Sequence, residues 1–316
     1  MPTTLGTIFS QCIKHPSLIP KLFVEYYPPK PKFSPDEIPD LTGKVFFVTG
    51  GNSGIGKEAI ESAIGEWKQA TGREATFIQM DLGDLKTIKP AVDEFLSKES
   101  RLDVLYNNAG VMIPPKEELT KDGYDLQFGT NVLGHFLLTR LLLPKLLESA
   151  QGGHARIVTM TSVVRLSGIL DFATVKPGRA RDATSAWVLY FQSKLGDEIL
   201  AQELARRYGN RGIVSLATAP GNLDTSLWKH HANAKPLMHK LTKTRLKPPR
   251  LGALAPLYAA TMPEAAKHNG RTWRPYGLLA GDNPLATNPA LGRDLWTWCE
   301  EQAIKVVGEL PDVKTA

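Results

Sequence analysis

Tyr190 and Lys194 stand four residues apart in the run Tyr190-Phe191-Gln192-Ser193-Lys194, which is one turn of a helix. An ammonium on the same helical face favours the phenolate, so a phenol that normally titrates near ~10 could exchange a proton near neutral pH. The pair does not suffice alone, because a second Tyr-x-x-x-Lys runs from Tyr26 to Lys30, where Pro28 and Pro29 rule out a helix interior. Upstream lies a glycine-rich turn, Thr49-Gly50-Gly51-Asn52-Ser53-Gly54-Ile55-Gly56. Such a turn lets backbone amides and a helix N-terminus approach a pyrophosphate. Its spacing, Gly50-x-x-x-Gly54-x-Gly56, differs from the usual Gly-x-Gly-x-x-Gly, and a lone glycine pattern could also be a tight strand-to-helix turn. A dinucleotide turn with a proton-exchanging phenol downstream is the equipment of an oxidoreductase.

The elements around these residues supply the context. Lys44 to Thr49 is a continuous apolar run of the buried parallel-strand kind and leads straight into the turn. A helix is expected from Ile55 to about Ala70, a strand at Ala75 to Met80, a helix at about Leu85 to Leu96, and a strand at Asp103 to Tyr106 closed by Asn107-Asn108-Ala109-Gly110. A long helix from about Gly123 to Ser149, a strand from Arg156 to Thr161, the helix bearing Tyr190 and Lys194, and a strand from Gly212 to Thr218 complete the pattern. This alternation predicts a single-domain α/β fold, a Rossmann-like doubly wound parallel sheet. Its polar and glycine positions fall at the carboxyl ends of strands, where open α/β sheets bind ligands.

Bulk properties narrow the function further. At 316 residues and 42% hydrophobic composition the chain can bury one large core. Cys12 and Cys299 are too few and too distant for a disulfide framework or a metal cluster, which fits a reducing, cytoplasmic setting; no metal is required. The net charge of +6 is spread along the chain, so no nucleic-acid partner is indicated. The most apolar stretch, Phe136 to Leu147, is broken by Arg140, Pro144 and Lys145, and no transmembrane helix is expected. Residues 1–40 read as an extension ahead of a domain spanning 41–316. Within it, Leu18 to Tyr27 is apolar enough to lie on a membrane surface or on the protein itself, and its modest charge favours the latter. Leu227 to Arg250, with Pro236, Pro248 and Pro249, reads as an insertion or lid. Assembly into an oligomer is left open.

Taken in order, Thr-Gly-x-x-x-Gly-Ile-Gly, Asn-Asn-Ala-Gly, a helical Asn, a strand-end Ser and Tyr-x-x-x-Lys resemble the short-chain dehydrogenase/reductase family, above all its retinol-dehydrogenase-like fungal members, from about Leu41 to the C-terminus. The resemblance implies that Tyr190 donates or accepts the proton, and that Lys194 lowers its pKa and holds the nicotinamide ribose. Ser162 would orient the substrate oxygen, and Asn131 would support a water linking Lys194 to solvent. Taken alone, Ser162 could simply end a strand, with Thr161 serving instead, and Asn131 could satisfy buried backbone groups. His135, in an apolar helix, reads as structural. Gly50, Gly54, Ile55, Gly56, Lys57, Asp81, Asn108, Leu223 and Thr225 are the further positions expected at the cofactor. The implied substrate is a small apolar alcohol or carbonyl compound, with secondary metabolism the suggested setting.

One departure stands out. Only 24 residues separate Gly56 from Asp81, where the family fits a helix, a strand, a second helix and a third strand, so one strand-helix unit is missing. Asp81 is either the family's third-strand acid beside the adenine or the second-strand acid for the ribose; both readings keep it near the adenosine. Ala75 to Met80 either slides in beside Lys44 to Thr49, which ladder energetics favour, or leaves a gap in the sheet. Lys57 could pair with a ribose phosphate or be a solvated first-turn lysine. With the basic balance this favours NADP(H), and NAD(H) stays open. A pseudoenzyme that lost cofactor affinity with the missing unit is the rival reading.

Overall fold

The computed structural model describes residues 6, 10, 13–51, 54–58, 75–225, 227 and 246–313. Six strands form one sheet in chain order: β1 (Phe46–Val48), β2 (Val104–Asn107), β3 (Ala155–Met160), β4 (Ile213–Thr218), β5 (Thr272–Arg274) and β6 (Leu278–Leu279). The first five run parallel and β6 returns antiparallel to β5. Register is tight in the middle, with Ala155 to Met160 facing Ile213 to Thr218 residue for residue. Both strands are buried at every position, as a parallel sheet covered on both faces requires.

The principal helices are α1 (Leu18–Tyr26), α2 (Ile88–Lys98), α3 (His135–Ala150), α4 (Ala186–Tyr208), α5 (Pro249–Thr261) and α6 (Pro289–Val307). One face of the sheet is packed by α2, α3, α4 and α6 through a cluster that includes Val92, Leu137, Leu142, Ile199 and Trp296. The other is packed by α5 through Leu254 and Leu257 against Val158 and Leu216. No helix among the described residues is long and apolar enough to cross a membrane.

Ala75 to Met80 forms no strand, which corrects the expected strand and also the expectation that it would fill the place beside β1. Among the described residues β1 is the edge of the sheet. The segment gains its burial without a ladder, through Ile78 and Met80 packed on the core, while Phe77 stays exposed. Its end is pinned instead to the start of α2, because the Thr87 hydroxyl accepts from the Asp81 N–H (3.0 Å) and donates to the Asp81 carbonyl (2.9 Å). The helix after the glycine turn is described only for residues 54–58, and most of Leu227 to Arg250 lies outside the described residues.

The extension ahead of Leu41 contributes to the body. In α1, Leu18 is fully buried and, with Leu22, packs on Val163 and Leu166, whereas Ile19, Phe23 and Tyr27 on the outer side are exposed. The Glu25 carboxylate is 2% exposed and accepts two bonds of 2.7 Å from the Arg165 guanidinium. The remaining Arg165 edge donates to Glu198 of α4 at 2.8 Å. Thr272 and Asn283 complete the Glu198 shell, so each charge in this buried cluster is paired, as burial demands.

Candidate active site

Tyr190 and Lys194 lie in α4, which starts at Ser185, whose hydroxyl accepts from the Val188 N–H. Both are buried on the helix that crosses the carboxyl end of β3. Ser162 is the second residue past that strand, and its side chain draws the Tyr190 phenol down. The neighbouring Thr161 is committed elsewhere, donating to the Lys194 main-chain carbonyl at 2.6 Å. The strand end thus assigns the two hydroxyls differently: Thr161 fastens α4 to β3, and Ser162 meets the phenol. Met112, Phe191 and, more loosely, Ile113 and Trp187 pack around Tyr190.

The electrostatics differ from the sequence reading. Lys194 was expected to draw the Tyr190 phenol down. Instead burial, helped by the Asp197 carboxylate, holds the phenol above its ordinary value, with only Ser162 pulling the other way. Lys194 is committed elsewhere. Its Nζ donates to the Met160 carbonyl at 2.9 Å and to Asp197 Oδ2 at 2.8 Å. Burial pushes the Asp197 carboxyl up to about 7 against the pull of Lys194.

Asn131 sits in a π-helical turn, Gly129–Gly134, just ahead of α3, an irregularity that often marks functional sites. Its amide clamps the loop after β2, since Oδ1 accepts from the Val111 N–H (2.9 Å) and Nδ2 donates to the Val111 carbonyl (3.0 Å). Nδ2 also donates to Ser193 Oγ at 3.0 Å. The Asn131 carbonyl accepts from His135 Nδ1 at 2.9 Å. Asn131 therefore joins the loop after β2 to α4. His135 is the structural residue expected. Burial lowers it to about 4, so the ring is neutral and Nε2 accepts from Thr49 Oγ1 at 2.9 Å. Thr49 Oγ1 in turn accepts from the Asn108 and Ala109 N–H groups, both at 2.9 Å.

Those bonds bring the glycine turn against the loop after β2. Asn108 Nδ2 donates to the Thr49 carbonyl at 2.8 Å. Gly50 and Gly54 have φ of +66° and +55°, which favours glycine. A Cβ at Gly56 would stand 2.5 Å from the Gly50 carbonyl oxygen, and one at Gly54 would be 3.7 Å from Thr225. Residues 54–58 are helical. A glycine-rich turn leading into a helix beside Asn108 and Thr225 fits a pyrophosphate. Ile55 packs on the core and Lys57 is exposed. Leu223 is buried and lines a cleft of about 220 Å³ with Tyr26, Tyr27, Pro220, Gly221 and Tyr276. Asp81 is on no strand end, because no strand forms before it; its carboxylate accepts from the Gly83 N–H at 2.8 Å.

Sequence reasoning missed Asp197 and the Glu25–Arg165–Glu198 cluster. A signal existed for the first, since Asp197 is three residues from Lys194 in a helix with few exposed positions. The second joins residues 140 positions apart, which no local pattern reveals.

Comparison with known proteins agrees with this geometry. A family model described as short chain dehydrogenase matches residues 57–236. A short-chain dehydrogenase/reductase of Armillaria gallica is 44% identical over 302 residues, covering 89% of this chain and 97% of the relative. Human retinol dehydrogenase 11 is 34% identical over 277 residues, covering 81% and 84%. A crystal structure of an uncharacterised protein from Mycobacterium paratuberculosis superposes with a TM-score of 0.63 at 28% identity, covering 86% and 97%. A 3-ketoacyl-(acyl-carrier-protein) reductase from Brucella melitensis, complexed with NADH, shares the fold with a TM-score of 0.57 at 23% identity, covering 75% and 99%. The chain belongs to the short-chain dehydrogenase/reductase family and is an oxidoreductase.

Proposed function

We propose that this protein is a cytoplasmic, NADP(H)-dependent enzyme that interconverts a hydroxyl and a carbonyl on an apolar small molecule, with Tyr190 as the proton donor or acceptor. The observation that carries the reading is that Ser162, just past β3, draws on the Tyr190 phenol, with Lys194 one turn along the same helix. Gly50, Gly54, Ile55, Gly56, Asn108, Leu223 and Thr225 would hold the dinucleotide, with Lys57 and Asp81 toward its adenosine end and Lys194 toward the nicotinamide ribose. The chemistry supplied by NADP(H), when bound there, is hydride transfer to or from the substrate carbon. Ser162 orients the substrate oxygen, and Tyr190 gives that oxygen its proton in reduction or takes it in oxidation. Met112, Phe191 and Trp187 around Tyr190 support an apolar substrate. A setting in secondary metabolism rests on the likeness to fungal relatives.

Tyr190→Phe tests the assignment. Turnover should fall by at least ~100-fold, the usual worth of a positioned acid, while NADPH binding followed by nicotinamide fluorescence stays near the wild-type value. Retained turnover would remove Tyr190 from the role. The rival, a scaffold without useful cofactor affinity, draws on the shortened segment before Asp81. Titration with NADPH and NADH separates the two, because folded protein that binds neither cannot be the enzyme.

A further inference from the structure

Behind Lys194, on the side away from the substrate end of the sheet, the helices enclose polar groups that a purely structural core would not contain. A small, partly open recess of about 20 Å³ is lined by Asn107, His135, Thr139, Arg140, Thr159 and Asp197, with apolar walls from Val132, Phe136 and Trp296. This exceeds the ~10–15 Å³ that one water needs. Three buried polar atoms on residues of that lining, Asn107 Oδ1, Arg140 Nε and Arg140 Nη1, have no protein partner. Each would otherwise cost on the order of 1–3 kcal/mol. Arg140 leads outward, since its Nη2 donates at 3.0 Å to Glu300, whose side chain is 35% exposed. On the inner side Asp197 Oδ2 receives Lys194 Nζ at 2.8 Å. On the side facing the loop after β2, Asn131 is fully engaged with Val111, Ser193 and His135.

From this juxtaposition we infer that Asp197 is a relay residue behind Lys194, exchanging protons between the Tyr190–Lys194 pair and a water held in the recess beneath α3 and α4. The inference rests on the reading of Tyr190 as the acid. In reduction, Tyr190 passes its phenolic proton to the substrate oxygen. The phenolate regains one from the Lys194 ammonium, Lys194 regains one from the Asp197 carboxyl, and Asp197 is reprotonated through that water. The net change is one proton drawn from solvent through the water in the recess, with no electrons moved. Oxidation runs the same path backward.

Asp197 suits the task because its carboxyl is pushed up to about 7, so both protonation states are populated near neutrality. The groups facing it are Lys194 and Tyr190 on its own helix and His135 and Arg140 from α3. β2 and β3 offer only the uncharged Asn107 and Thr159, and the next residue, Glu198, is turned to Arg165.

The test is the pH profile of carbonyl reduction at saturating NADPH for wild type, Asp197→Asn and Tyr190→Phe. In wild type kcat should decline as pH rises through about 7. In Asp197→Asn that inflection should vanish and kcat at neutral pH should fall about tenfold, below the usual range for a residue touching the reacting atoms, with KM and NADPH binding near wild type. An Asp197→Asn profile that keeps the wild-type inflection overturns the relay, whereas an active Tyr190→Phe overturns the parent assignment instead. Should Asp197→Asn not fold, Asn107→Leu decides: it removes a water partner without touching Lys194, and an unchanged kcat would sink the proposal.

Discussion

His135 carries a burden set by its surroundings. It is neutral because burial lowers it to about 4, against ~6.5 in an unfolded chain. A base depressed in the folded state stabilises above the unfolded value, and that stability is lost as pH falls from about 6.5 through 4. The full loss is on the order of 3 kcal/mol. Wild type should therefore show a steeper fall in unfolding free energy across this window than His135→Gln, measured by urea denaturation at a series of pH values. Equal slopes would mean that His135 titrates normally. At this scale the sequence was legible where chemistry depends on near neighbours, as for Tyr190 and Lys194 or His135 in its apolar helix. It was not legible for charge. The ammonium of Lys194 looks available from spacing alone, and only the fold turns it to Asp197.

The ion cluster between α1 and α4 makes the N-terminal helix part of the catalytic helix's support. Glu25 of α1 is bonded to both terminal nitrogens of Arg165, whose third nitrogen meets Glu198 four residues after Lys194. Removing one partner of a buried pair leaves an uncompensated charge and costs ~3–5 kcal/mol. Glu25→Ala should lower the unfolding free energy by about that much, read from chemical denaturation, and a loss under ~1 kcal/mol would show the cluster to be loosely held. Element positions in the sheet were legible because β1 to β4 are largely apolar runs followed by glycine or polar residues. The element that failed was Ala75 to Met80. Its alternation suits a strand, yet burial of Ile78 and Met80 with the Thr87 anchor holds it without a partner.

Across the whole molecule, the short side of the sheet and the glycine turn meet at β1, which has only three residues and pairs with β2 alone among the described residues. Ligand binding should therefore register as stability. At a hundredfold excess over its Kd, a nucleotide that binds only the folded chain adds ~2.7 kcal/mol. NADPH should raise the thermal midpoint more than NADH at equal concentration, and a larger rise with NADH would reverse the cofactor preference. The order of elements along the chain made this architecture readable.

The long reach of Glu25 also sets a timetable. Its partners Arg165 and Glu198, and the Asn283 that completes the Glu198 shell, emerge far behind it during synthesis. At ~5–20 residues per second the ribosome needs on the order of ten seconds or more to bring the last of them out. For that interval the Glu25 carboxylate of α1 has neither Arg165 nor the Glu198 shell to pair with, so the docking of α1 waits on the later half of the chain.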